Sequence, residues 1–272
     1  MKIPAAADRS VVESSFERRA ARAELLASEA SAAEAPLRFA AGLYRVQARI
    51  AARIEAIHAA EPLSGHLDLD LARLLGPAGE VIRFAATEGP ALLAAAARAR
   101  EADDEATART RLLVFWEGGP AAREDYLSRA MLRPYAEALR AANRAPNRIH
   151  GRGQCPFCGG APWIAVRREG SASEGARRNL ACSLCGGEWL LGRILCPSCF
   201  EEDPAKLPIF QSDRHPSVRI ETCENCRRYV KSIDLSLDAR PIPEVDDLVS
   251  LSMDLWALEQ GFSRIEPGLA GL

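Results

Sequence analysis

The sequence predicts an α+β protein: a multihelical N-terminal domain, then a C-terminal domain of two tandem four-cysteine metal lobes made of short strands, and a terminal helix. Two observations carry this. Apolar residues recur at helical spacing through residues 14–143. All eight cysteines lie between positions 155 and 226, each in a C-x-x-C pair: Cys155/Cys158, Cys182/Cys185, Cys196/Cys199 and Cys223/Cys226. The 272 residues, 48% hydrophobic and 26% charged, suffice for one large domain or two ordinary ones.

The first residues, MKIPAAADRSVVESSFERR, lack a continuous apolar segment, and no run approaches the ~18 apolar residues of a membrane span, so a cytoplasmic protein without membrane insertion is expected. Residues 1–150 carry 21 basic and 20 acidic side chains, and 151–272 carry 14 and 17. Neither half has the positive excess typical of nucleic-acid binders, and no nucleic-acid partner is expected.

The helical region opens with SFERRAARAELLASEA. A longer segment follows in which Leu43, Val46, Ile50, Ile54 and Ile57 share one face while Arg45, Arg49 and Arg53 fall on another. Further candidates are LDLARLL (69–75), ALLAAAARARE (91–101), ATARTRLLVFWEG (106–118) and REDYLSRAMLRPYAEALRAANR (123–144). Pro134 makes the last either kinked or two helices. APNRIHGRGQ (145–154) has no periodicity and marks the boundary, giving a helical domain over 1–148 and lobes over 149–194 and 195–240.

Beyond it, WIAVRR (163–168) and RNLACS (178–183) flank a polar loop, EGSASEGA, as in a hairpin. EWLLGRI (188–194) reads as a third strand shared by the lobes, and SVRIET (217–222) and YVKSIDL (229–235) as two more. Arginines in these strands are expected to face solvent. Over 241–272, Asp246 or Asp247 is expected to N-cap a helix whose apolar face is Leu248, Leu251, Leu255 and Leu258, with Gly261 as its stop.

Four tight pairs flanked by Gly or Pro fit metal knuckles better than a disulfide framework or a lone thioredoxin-type dithiol. The pairs are separated by 23, 10 and 23 residues. An extended EWLLGRI would span roughly 23 Å, whereas sulfurs on one zinc lie about 4 Å apart. This favours sequential sites, Cys155/Cys158/Cys182/Cys185 and Cys196/Cys199/Cys223/Cys226. Nested pairing, with a hairpin about Gly192, and crossed pairing stay open. Two ions per chain, zinc or iron, each in a four-cysteine site, are expected. Full thiolate coordination leaves no position for water or substrate. His58, His66, His150 and His215 show no ligand spacing. Asp103/Asp104, Glu201/Glu202 and Asp246/Asp247 read as solvated charges and caps, and no nucleophile or phosphate-loop motif occurs. No catalytic or other cofactor-binding residue is therefore assigned, and a non-enzymatic, protein-binding role is expected.

CPFCG at 155–159, CSLCGGEW at 182–189 with Arg193 following, CPSC at 196–199, ETCENCRRYVKSID at 221–234 and DDLVSLSMDLWALEQGF at 246–262 resemble the formate dehydrogenase accessory protein family, FdhE. The resemblance covers roughly 155–262. It implies rubredoxin-like metal folds, with iron among the candidates. It also implies a cytoplasmic maturation factor that binds the precursor catalytic subunit of a molybdenum- or tungsten-dependent, Tat-exported formate dehydrogenase. The segment FEEDPAKLPIFQSDRHPSVRIET (200–222) is less typical of the family, and dimerisation stays open. The alternatives are a rubredoxin-like iron protein for electron transfer or redox sensing, and a zinc-ribbon nucleic-acid binder.

Overall fold

The computed structural model describes residues 11–118, 125–169, 177–192 and 194–271. Its architecture is the expected α+β class. Among the described residues six α-helices come first: α1 (Val11–Glu29), α2 (Glu34–Ala60), α3 (Leu67–Glu88), α4 (Ala91–Glu101), α5 (Glu105–Glu117) and α6 (Tyr126–Ala141). The apolar stripe of α2 is buried in the helical core, while Arg45 pairs with Glu24, and Arg49 and Arg53 with Glu80, at the surface. Helix α3 runs well past the expected Leu75. Leu71, Leu74, Ala78, Val81, Ile82 and Ala85 keep one buried face in register across Gly76 and Pro77, and that burial outweighs the proline. Pro134 likewise leaves α6 one element, with every residue from Leu127 to Leu139 buried.

The strands are β1 (Pro162–Arg168), β2 (Arg177–Cys182), β3 (Glu188–Leu190), β4 (Ile209–Gln211), β5 (Val218–Cys223), β6 (Arg228–Asp234) and β7 (Ser263–Arg264). They form one sheet in the order β3-β2-β1-β6-β5-β4. The antiparallel hairpin β1–β2 is as expected, although most of the EGSASEGA loop lies outside the described residues, and the two further expected strands, β5 and β6, also pair antiparallel. β3 stops at Leu190 and, among the described residues, pairs with β2 alone, so it is not the strand shared between lobes. The lobes join through a parallel pair, Ile164↔Lys231 to Arg167↔Asp234. β7 takes the remaining length of that β6 edge, at Arg228 and Tyr229.

The terminal segment comprises α7 (Pro243–Asp246), a tight turn over Asp247–Ser250 and α8 (Leu251–Glu259). Of the expected apolar face, Leu248 is buried and Leu251 packs beside it, but the other two leucines are not buried. Leu255 and Leu258 are 51% and 42% exposed, whereas Met253 and Ala257 pack against Ile220, Tyr229 and Ile233. Neither Asp246 nor Asp247 caps α8, because both are drawn into ion pairs: Asp246 with Arg22, Asp247 with Lys231 and Arg264. Gly261 does end the helix, at φ +77°.

Candidate metal centres

Each C-x-x-C pair sits in a knuckle whose second cysteine is followed by a residue in the left-handed region: Gly159 (φ +67°), Gly186 (+65°), Phe200 (+64°) and Arg227 (+55°). The turn closes with the amide of that residue donating to the carbonyl of the first cysteine, at 2.8 Å for Gly159, 3.0 Å for Phe200 and 2.9 Å for Arg227. It also aims amides at sulfur. Leu184 and Cys185 N–H lie 3.4 Å from Cys182 Sγ, and Ser198 N–H is 3.4 Å from Cys196 Sγ. Close approach explains Gly160, where a Cβ would stand 2.6 Å from Cys182 Sγ.

Two knuckles meet in each lobe. In the first, Cys155 and Cys185 sulfurs are 3.7 Å apart and those of Cys158 and Cys182 are 3.4 Å apart. In the second, Cys196–Cys226 is 3.7 Å and Cys199–Cys223 is 3.5 Å. Within each cluster all four sulfurs lie within 4.8 Å of one another. The sequential grouping is therefore the one the fold brings together, and the nested grouping is not formed. All eight cysteines are free thiols. A tetrahedral ion with ~2.3 Å metal–sulfur bonds sets its sulfurs roughly 3.8 Å apart, and both clusters fit that dimension. Among the described residues no histidine joins either cluster; His58 accepts from the Leu63 amide and His66 meets Asn147.

The electrostatics point the same way. Hydrogen bonds from neighbouring thiols pull Cys155 far down toward the thiolate, while burial pushes Cys182 up. In the second lobe burial pushes Cys196 and Cys226 up. One sulfur ionises at the expense of its neighbours, so four ionise together only around a cation. A thiophilic divalent ion, zinc or iron, suits this donor set, which would be coordinatively closed.

Two buried ionic clusters were not anticipated. Lys231, fully buried, donates to the carbonyls of Asp247 and Ser250 (3.1 and 3.2 Å) and pairs with Asp247 and Asp254. Arg264 joins both carboxylates and donates to the Trp163 carbonyl at 3.0 Å, and Tyr229 donates to Asp254 at 2.8 Å. At the seam between helices and sheet, Arg19 and Arg133 meet Glu137 and Glu244. Arg133 also lies over Trp163 of β1, 4.9 Å from the ring centre. Arg178 is buried and bonds Glu221 at 2.7 Å, from β2 to β5, rather than facing solvent. Of the paired acids, Asp104 caps α5 through the Thr107 amide as expected, whereas Asp247 is a buried ion-pair partner. Arg193 lies outside the described residues.

Comparison with known proteins finds relatives for part of the sequence. Residues 154–193 match the FdhE central domain and residues 194–269 the FdhE C-terminal domain. A protein FdhE homolog from Aquifex aeolicus is 38% identical over 117 residues, 43% of this chain and 41% of that protein. One from Pseudomonas putida is 33% identical over 159 residues, 57% of this chain and 50% of that protein. The chain thus spans half the length or less of these curated relatives. The crystal structure of the FdhE protein from Pseudomonas aeruginosa is similar with a TM-score of 0.66 at 26% identity, covering 96% of both chains.

Proposed function

The chain is FdhE-like, in sequence over residues 154–269 and in fold over nearly its whole length, and from this premise we propose that it is an accessory factor that binds the precursor catalytic subunit of a formate dehydrogenase. In this reading it acts in the cytoplasm, before Tat-dependent export of a molybdenum- or tungsten-containing enzyme, and catalyses no reaction itself. Residues 1–148 form the helical domain, 149–194 and 195–240 the two lobes, and 241–272 the terminal segment. Cys155, Cys158, Cys182 and Cys185 hold one ion and Cys196, Cys199, Cys223 and Cys226 the other, each ion cross-linking two knuckles and so fixing the shape of its lobe.

The observation that carries the reading is the pair of convergent four-cysteine clusters inside the two segments that match FdhE domains. Among the described residues, no helix is long and apolar enough to cross a membrane. The test is affinity capture of the chain from cells expressing a formate dehydrogenase catalytic subunit, with elemental analysis of the captured protein. Co-purification of the subunit with two zinc or iron ions per chain is expected. Absence of the subunit, or its undiminished capture by a variant with all eight cysteines changed to serine, overturns the proposal or removes the metal lobes from it.

A further inference from the structure

The two clusters are copies of one another in their inner geometry. Each cysteine of the second follows its counterpart in the first by 41 positions, as from 155 to 196. The closest sulfur pairs are 30 and 24 residues apart in both. The hairpin that encloses the second knuckle of each lobe keeps the same register, Asn179↔Leu190 in the first lobe and Ile220↔Lys231 in the second.

Their surroundings differ. Cys155, Cys158, Cys182 and Cys185 are no more than 2% exposed and belong to the same apolar cluster as α2, α3, α5 and α6. The Arg148 guanidinium closes one side, donating to the carbonyls of Cys158 (2.8 Å) and Trp116 (2.6 Å). Helices α1 and α6 close another, so near that a Cβ on Gly187 would stand 3.0 Å from Arg140 Nε. Among the described residues, no helix of the N-terminal region shares an apolar cluster with the second site, whose Cys199 and Cys226 are partly exposed. There the left-handed positions carry side chains in place of glycine: Phe200 under Arg152 at 4.1 Å, and Arg227 over Phe262 at 3.8 Å. Asn225 Nδ2, at 3.7 Å from Cys199 Sγ, is itself exposed.

We propose that the clusters divide the work: the first holds a permanent ion that staples the sheet to the helices, and the second is an exchangeable site for a thiophilic divalent cation, reached past Cys199 and Cys226. This rests on reading both clusters as metal sites. Exchange from a closed thiolate shell begins when a competing ligand or proton reaches a sulfur or the ion. At the second site two of the four ligand residues, Cys199 and Cys226, already border solvent. At the first, it must wait for local opening of the helical core, and the free energy of that opening slows release.

The test is release of zinc from the intact, zinc-loaded chain into excess chromogenic chelator, with the alkylated cysteines located by mass spectrometry at each time point. One ion per chain should leave in a phase at least about tenfold faster than the other. Cys199 and Cys226 should be alkylated before any cysteine of the first cluster. Cys226→Ser should abolish the fast phase while the slow ion and the helical circular dichroism persist. Release of both ions in one phase, or earlier labelling of Cys155 or Cys185, overturns the inference and leaves the metal reading standing. A chain that takes up no cation overturns both. The alkylation order in unmutated protein decides the matter even if the variant does not fold.

Discussion

Lys231 shows how a single side chain ties the terminal segment to the sheet. Strand β6 places Tyr229, Lys231 and Ile233 on alternate positions, and Tyr229 and Ile233 pack beneath α8. The ammonium therefore enters a region that would reject it without Asp247 and Asp254. Lys231→Met should destabilise the protein by about 3–5 kcal/mol, because Asp247 and Asp254 would be left with Arg264 as their one buried cationic partner. Urea unfolding followed by circular dichroism, at unchanged metal content, measures this. The eight cysteines were legible individually, since their spacing is a local property. Lys231 was half legible: period-two alternation puts it on a face with Tyr229 and Ile233, but nothing local says that both sheet faces are covered. Of the carboxylates that receive it, Asp247 read as a solvated charge or cap and Asp254 carried no local signal, because the two lie 16 and 23 residues from Lys231.

Helix α6 makes the same point for an element. Its sequence, YLSRAMLRPYAEALRA, puts Arg129, Arg133 and Glu137 on one polar side. That side is buried against the C-terminal region: Arg129 pairs with Glu266, and Arg133 with Glu137 and Glu244. Burial alone would push the Glu244 carboxyl up, but the Arg133 and Arg19 guanidinium groups outweigh it and hold the group below its ordinary value of 4.5. Its contribution to stability is thus complete above pH 4.5 and is lost as pH falls through the depressed folded-state value. Glu244→Gln should lower stability at neutral pH and flatten the acid limb of the stability–pH curve. The difference between the two proteins should shrink as pH drops below 4.5. Both retain the same cysteines, so acid-driven metal loss is common to both. The existence of α6 followed from its periodicity, whereas its continuity as one helix through Pro134 did not. Its burial depends on elements more than a hundred residues away.

For the whole molecule, helices and lobes share one interior. The first cysteine cluster is part of the helical core, and the parallel β1–β6 pair fuses both lobes into one sheet. Residues 1–148 expressed alone would expose the buried face of α6 and leave Arg133 without Glu244. That fragment should aggregate or bind a hydrophobic dye without near-ultraviolet ellipticity, whereas the full chain should give a single cooperative transition. A soluble fragment with fixed tertiary ellipticity would show the helical domain to be self-sufficient. By itself the sequence determined the helical region and the four knuckles, because each follows from spacing along the chain; it favoured the sequential grouping, and the fold decided it by bringing those sulfurs together. Tertiary structure alone decided the parallel joining of the lobes, the two buried ionic clusters and the unequal cover of two otherwise matching four-cysteine sites. Those depend on which distant surface comes to lie over a residue, and local pattern does not encode that.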